Sequence, residues 1–136
     1  MTFRLAIVAG AVLGAVSVAA GAFGAHGLKA FLEAAGQSAN WETAFRYSLV
    51  HAVAIVVTGL VTALPQAAGC RGMLVAATVC FAFGTLIFSG CLAALCLTGV
   101  KLLGAIVPIG GTLLIAGWLL LAAAGLRLSS SGPVTP

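Results

Sequence analysis

Four long apolar runs, separated by single lysines or arginines, organise this sequence. Between Arg4 and Lys29 lie 24 residues without a formal charge, between Arg46 and Arg71 another 24, between Arg71 and Lys101 29, and between Lys101 and Arg127 25. A hydrocarbon layer about 30 Å thick is crossed by roughly 20 apolar residues in helical form, so each run is long enough to span. Spans are predicted near residues 5–23, 45–64, 73–97 and 102–126. An exposed backbone polar group in lipid costs several kcal/mol, which leaves helices and closed barrels as spanning structures, and four continuous apolar runs do not alternate as barrel strands do. The predicted fold is an all-α membrane protein, a four-transmembrane-helix bundle.

Two segments break this pattern. In residues 28–37, Leu28, Phe31, Leu32 and Ala35 share one helical face and Lys29 and Glu33 another, the mark of a short interfacial amphipathic helix between spans 1 and 2. Residues 129–136, SSSGPVTP, read as a disordered polar tail after a single domain of residues 1–128. Composition agrees: 62% hydrophobic, 6% charged and a mean hydropathy of +1.26, where soluble domains carry about a quarter charged residues. Span 1 exceeds the 7 to 15 residues of a signal-peptide core, so it is expected to be retained. Net charge is +4, but the basic residues are single and stand at helix ends, where they anchor the boundary and exclude a nucleic-acid partner. Cys70, Cys80, Cys91 and Cys96 form no CxxC, so small apolar filling is expected of them, with neither disulfide framework nor metal site. No cofactor is expected. Both termini share one side. Arg4, Arg71 and Arg127 tie with Lys29, Arg46 and Lys101 in the positive-inside count, and the α-amine and the pairing of Arg46 tip the balance toward cytoplasmic termini.

Helical periodicity assigns the small and polar residues to faces. Gly10, Gly14, Ser17, Gly21 and Gly24 are spaced 4, 3, 4, 3, a helix-packing seam of small residues. Helices in lipid gain nothing from hydrophobic burial on meeting, so close backbone approach supplies the packing. Ser48, His51, Thr58 and Thr62 line one face of span 2, and Thr78, Thr85, Ser89 and Cys96 one face of span 3. These stripes are expected to turn inward, as packing contacts or as the lining of a wet pore. In span 4, Pro108 with Gly110 and Gly111 predicts a helix break, a kink or local unwinding, because proline removes an i to i−4 bond and crowds the carbonyl of Gly104.

Polar residues concentrate in WETAFRYSLVHA, Trp41 to Ala52. Asn40 is expected to cap the second span, with Trp41 as an interface anchor. Glu42 and Arg46, at i and i+4, form a pair on the face opposite His51. His51, about one turn inside the boundary, needs a hydrogen-bond partner; the Tyr47 hydroxyl, Ser48 and span 1 are the candidates. His26, Glu33, Glu42 and His51 fall at one end of the bundle, but no HxxxH or ExxH spacing supports a metal site, and none is predicted.

GAFGAHGL at Gly21 to Leu28, ETAFRYSLVHA at Glu42 to Ala52, FSG at Phe88 to Gly90, PIGG at Pro108 to Gly111 and GW at Gly117 and Trp118 resemble the small membrane proteins grouped as domain of unknown function 423, which include relatives of transmembrane protein 256. The motifs run in order over nearly the whole chain. One departure is Leu92-Ala93-Ala94, where the family pattern often has a tyrosine. The resemblance implies a four-helix protein of bacterial inner membranes with no assigned activity, and it directs attention to His26, Glu42, Arg46, Tyr47, His51 and Ser89 as a candidate functional polar cluster. No acyl-transfer triad, acid and base pair or phosphate loop is present in the sequence, so a non-enzymatic protein is expected. It is expected to act by association with membrane lipid, with itself as a homo-oligomer or with a membrane-protein partner. The alternative is a small-molecule or ion transporter or channel with a cavity lined by spans 2, 3 and 4.

Overall fold

The computed structural model describes residues 2–128; the predicted tail at 129–136 lies outside the described residues. Helix α1 covers Phe3–Ala25, the short α2 Lys29–Ala34, α3 Ser38–Thr62, α4 Arg71–Thr98 and α5 Lys101–Gly125, with a single 3-10 turn at Pro65–Ala67. Four of these helices are long and apolar enough to cross a membrane. The all-α, four-span architecture read from the sequence is the one observed.

Local chemistry sets the ends. The Thr2 hydroxyl accepts from the Leu5 N–H at 3.4 Å and starts α1. Gly36 and Gly99 adopt φ of 65° and 71°, the left-handed region that ends α2 and α4 and that side chains with a Cβ resist. The expected cap at Asn40 is not formed: α3 begins at Ser38, because the Asn40 amide donates to Gln37 Oε1 at 2.8 Å while the Trp41 N–H bonds back to the Gln37 carbonyl. The local unwinding expected at Pro108 is absent. Helix α5 runs unbroken through it, since a membrane helix bears one missing backbone bond when its neighbours hold the register on both sides.

Helix α1 packs on α3, α3 on α4 and α4 on α5. Small residues bring these axes together. A methyl at Gly10 would lie 2.5 Å from Val56 Cγ2 and 2.7 Å from the Ala52 carbonyl, and one at Gly59 2.5 Å from Ala6 Cβ. Gly14 and Ser17 continue the predicted α1 seam toward α3, whereas Gly21 meets nothing within 4 Å. The α4/α5 contact is as close and was not anticipated: a methyl at Gly110 would stand 2.4 Å from the Phe88 backbone nitrogen, and one at Gly84 2.7 Å from Leu114. Valines, leucines and isoleucines such as Val8, Val12, Leu86, Leu102, Ile115 and Leu119 point outward and are more than half exposed. On a soluble protein such a surface would aggregate; around a bundle it is the lipid contact.

Candidate functional site

The two predicted polar stripes face inward. Ser48, His51, Thr58 and Thr62 on α3 and Thr78, Thr85, Ser89 and Cys96 on α4 are all buried. His51 is 4% exposed, and its partners are settled by donor and acceptor chemistry. Its Nε2 has the indole Nε1–H of Trp118 at 3.1 Å, and its Nδ1 lies 2.7 Å from the Tyr47 carbonyl. An indole only donates and a carbonyl only accepts, so Nε2 accepts, Nδ1 carries the hydrogen, and the imidazole is neutral in this arrangement. Rings pack around it. The centroid of Phe81 lies 5.6 Å from His51 and that of Trp118 6.0 Å, while Phe81 and Trp118 meet edge to face at 5.1 Å and Tyr47 stacks on Phe88 at 4.8 Å. Gly117 makes this possible, because a methyl there would reach 2.7 Å from the Phe81 ring. His51 thus joins α3 to α5 across the flank of α4.

None of the three partners expected for His51 is used. Tyr47 is 45% exposed and its ring lies on Phe88 and, at 6.1 Å between centroids, on His51, but the group that hydrogen-bonds His51 is its backbone carbonyl and not its hydroxyl. Ser48 instead meets Ser17 of α1, with hydroxyl oxygens 2.6 Å apart, and the Ser17 hydroxyl donates to the Leu13 carbonyl at 2.7 Å. One proton per hydroxyl then gives a chain in which Ser48 donates to Ser17 and Ser17 to Leu13. Thr62 and Thr78 donate to carbonyls four residues back, both at 2.8 Å. The hydroxyls of Thr58, Thr85 and Ser89 are buried and without a hydrogen-bond partner.

The second feature is a cavity of about 570 Å³ where α1, α2 and α3 converge. Ser17, Gly21 and Gly24 form its α1 wall, Phe45 and Leu49 its α3 wall, and Leu32 of α2 closes one end. Its rim is charged. Glu42 pairs with Arg46 and Lys29 Nζ lies 4.0 Å from Glu33, all four exposed. Trp41 does not anchor an interface as expected: it is 7% exposed, and its indole N–H donates to the Ala20 carbonyl at 3.0 Å, in a slot that a methyl at Gly24 would occupy, 2.1 Å from the indole nitrogen.

The predicted polar cluster is therefore divided. Tyr47 and His51 belong to the aromatic lock, Glu42 and Arg46 to the groove rim, Ser89 to the buried α4 stripe, and His26 is exposed at the C-cap of α1. Among the described residues no group of three or more His, Cys, Asp or Glu side chains stands close enough to hold a metal ion. Phe81 and Gly84 were not singled out from sequence, and Gly117 and Trp118 entered only as the GW motif, with no contact assigned to them. A signal existed for Trp118, because a buried histidine requires a partner, the chain has only two tryptophans, and one stands in the GW motif.

Residues 20–111 match a family described as protein of unknown function (DUF423). The chain is 40% identical over 119 residues to a UPF0382 membrane protein of Staphylococcus haemolyticus, covering 87% of this chain and 92% of that one. It is likewise 40% identical over 127 residues to a UPF0382 membrane protein of Staphylococcus epidermidis, covering 93% and 98%. A Staphylococcus aureus counterpart is 37% identical over 124 residues, covering 87% and 92%. No solved structure matches. By the extent of these matches, and by the four apolar helices that make it a membrane protein, the chain belongs to the DUF423 family.

Proposed function

We propose that this protein is non-enzymatic and acts by association within the membrane, holding a lipid in the groove between α1, α2 and α3. The observation that carries this reading is the groove's amphiphilic profile, an apolar wall of Val18, Leu32, Phe45 and Leu49 under a rim of two ion pairs. Its rim lies near the ends of α1 and α3, at the depth where a phospholipid changes from acyl chain to headgroup. Gly21 and Gly24 keep the α1 wall low, and a rim bearing both charges suits a zwitterionic headgroup.

Size-exclusion chromatography after mild solubilisation, followed by lipid analysis, tests the association. One phospholipid retained per chain is the expected result; a monomer with neither lipid nor protein partner overturns it. We further propose an inner-membrane location with cytoplasmic termini. Among the described residues Arg4, Arg71 and Arg127 have no ion-pair partner, whereas Lys29 and Arg46 at the other end are paired. A C-terminal reporter fusion active only in the periplasm overturns that orientation.

The transport alternative has one observation in its favour, the unpartnered hydroxyls of Thr58, Thr85 and Ser89. It requires water beside them. The rings of Phe81 and Trp118 occupy the His51 face where such a path would run. Cysteines placed at Thr58 and Ser89 in a cysteine-free chain discriminate: labelling by a water-soluble thiol reagent supports transport, and protection supports a dry packing face.

A further inference from the structure

The opposite end of the bundle carries a second cleft, of about 550 Å³, lined by Thr2, Phe3, Arg4, Thr62, Ala63, Arg71 and Val75. It lies between the start of α1, the end of α3 and the start of α4. Two arginines from different helices border it. The chain's only acidic side chains, Glu33 and Glu42, belong to α2 and the beginning of α3, at the far end of the bundle.

Arg71 is held in place. Its Nε donates to the Thr62 carbonyl at 3.1 Å, which ties the side chain across the α3-to-α4 connection and satisfies one of the carbonyls that α3 leaves open at its C-terminus. Arg4 stands in the first turn of α1, its guanidinium 5.9 Å from the centroid of the Phe3 ring. The starts of α1 and α4 direct the positive ends of their dipoles toward this boundary, and the C-terminus of α3 there, which opposes them, is partly offset by the Arg71 bond to the Thr62 carbonyl. Phe3, Ala63 and Val75 give the cleft an apolar floor.

We propose that this cleft binds the phosphate of an anionic phospholipid, with Arg4 and Arg71 as its two ligands and the glycerol and upper acyl chain over Phe3 and Val75. The lipid is favoured over free phosphate because the cleft lies at headgroup depth and joins its charge to an apolar wall. The site is separate from the α1/α2/α3 groove and does not depend on that reading.

Native mass spectrometry of the full chain in neutral detergent, titrated with phosphatidylglycerol, phosphatidylcholine or inorganic phosphate, tests it. A basic residue near a membrane surface strengthens binding of anionic lipid roughly fivefold, so the double variant Arg4→Gln, Arg71→Gln should lose phosphatidylglycerol roughly 25-fold. Phosphatidylcholine binding should be unchanged. Arg4→Gln alone leaves the Arg71 to Thr62 bond intact and guards against misfolding of the double variant; it should lose about fivefold. Equal losses in the double variant Lys101→Gln, Arg127→Gln, whose residues line neither cleft, would mean diffuse surface charge and overturn the site. Displacement of the lipid by millimolar inorganic phosphate would overturn the lipid assignment.

Discussion

Gly110→Ala is the smallest change that puts the packing account at risk. The added methyl would fall 2.4 Å from the Phe88 backbone nitrogen and 2.8 Å from the Gly84 carbonyl oxygen. Both are main-chain atoms inside a helix, so no rotamer relieves the contact. Restoring an ordinary separation of about 3.4 Å moves α4 and α5 apart by about 1 Å at mid-membrane, and a gap of that size forfeits a quarter to a half of each dispersion contact it opens. In lipid those contacts are most of what holds the pair. Overpacking of this kind costs about 1–3 kcal/mol, against a gain of up to about 1 kcal/mol from alanine's helix propensity. The net expectation is a loss of about 0–3 kcal/mol against wild type, and of the full overpacking cost, about 1–3 kcal/mol, against a glycine-to-alanine change that meets no neighbour and keeps the propensity gain. Reversible unfolding in mixed micelles with increasing dodecyl sulfate, followed by tryptophan fluorescence, measures it. Gly21→Ala is the control, because its methyl meets nothing within 4 Å, and it should be neutral or slightly stabilising. Equal stability of Gly110→Ala and Gly21→Ala, which share the propensity gain, would refute the close approach of α4 and α5.

Other consequences follow from the same contacts. Trp118→Phe removes the donor to His51 Nε2 and should cost about 0.6 to 1.7 kcal/mol; a double-mutant cycle with His51→Leu should recover a coupling of that size, and additivity would dismiss the bond. Nitrogen chemical shifts of labelled His51 in nanodiscs should report hydrogen on Nδ1, and a hydrogen on Nε2 would contradict the Trp118 contact. Gly24→Ala should destabilise by overpacking against the Trp41 indole, and Trp41→Leu in the same chain should restore part of the loss; a Gly24→Ala chain as stable as wild type would mean Trp41 does not occupy that slot.

Much of this architecture was legible because the membrane imposes a length. Single charges bracket runs of 24 to 29 residues, and the helices fall where those runs lie. Helical spacing also assigned faces correctly: Ser48, His51 and Thr58 point inward, and Glu42 and Arg46 point outward. A repeat of three or four residues says which way a side chain points and not what it meets. His51 bonds to a residue 67 positions away, and nothing local to α3 names that partner. The tight α4/α5 contact was missed for a related reason: Gly84, Gly110 and Gly117 belong to two helices, so no single helix displays a complete small-residue seam. Pro108 was over-read because the rule that proline breaks helices weighs one lost bond and leaves out the packing on either side of it. Asn40 was misread as a cap because Gln37, three residues earlier, takes its amide.

Delipidation of two chains in parallel tests most directly the lipid proposed for the groove beside Gly21. Gly21→Leu places a side chain into the open groove, where no atom stands within 4 Å of the added Cβ, and so should fill the site without disturbing the helices. Wild type and variant are followed by native mass spectrometry as detergent washing strips lipid away. One zwitterionic phospholipid should remain on the wild-type chain after the rest have gone and be missing from Gly21→Leu. Loss of all lipid at the same rate from both chains, or an adduct retained equally by both, would contradict it.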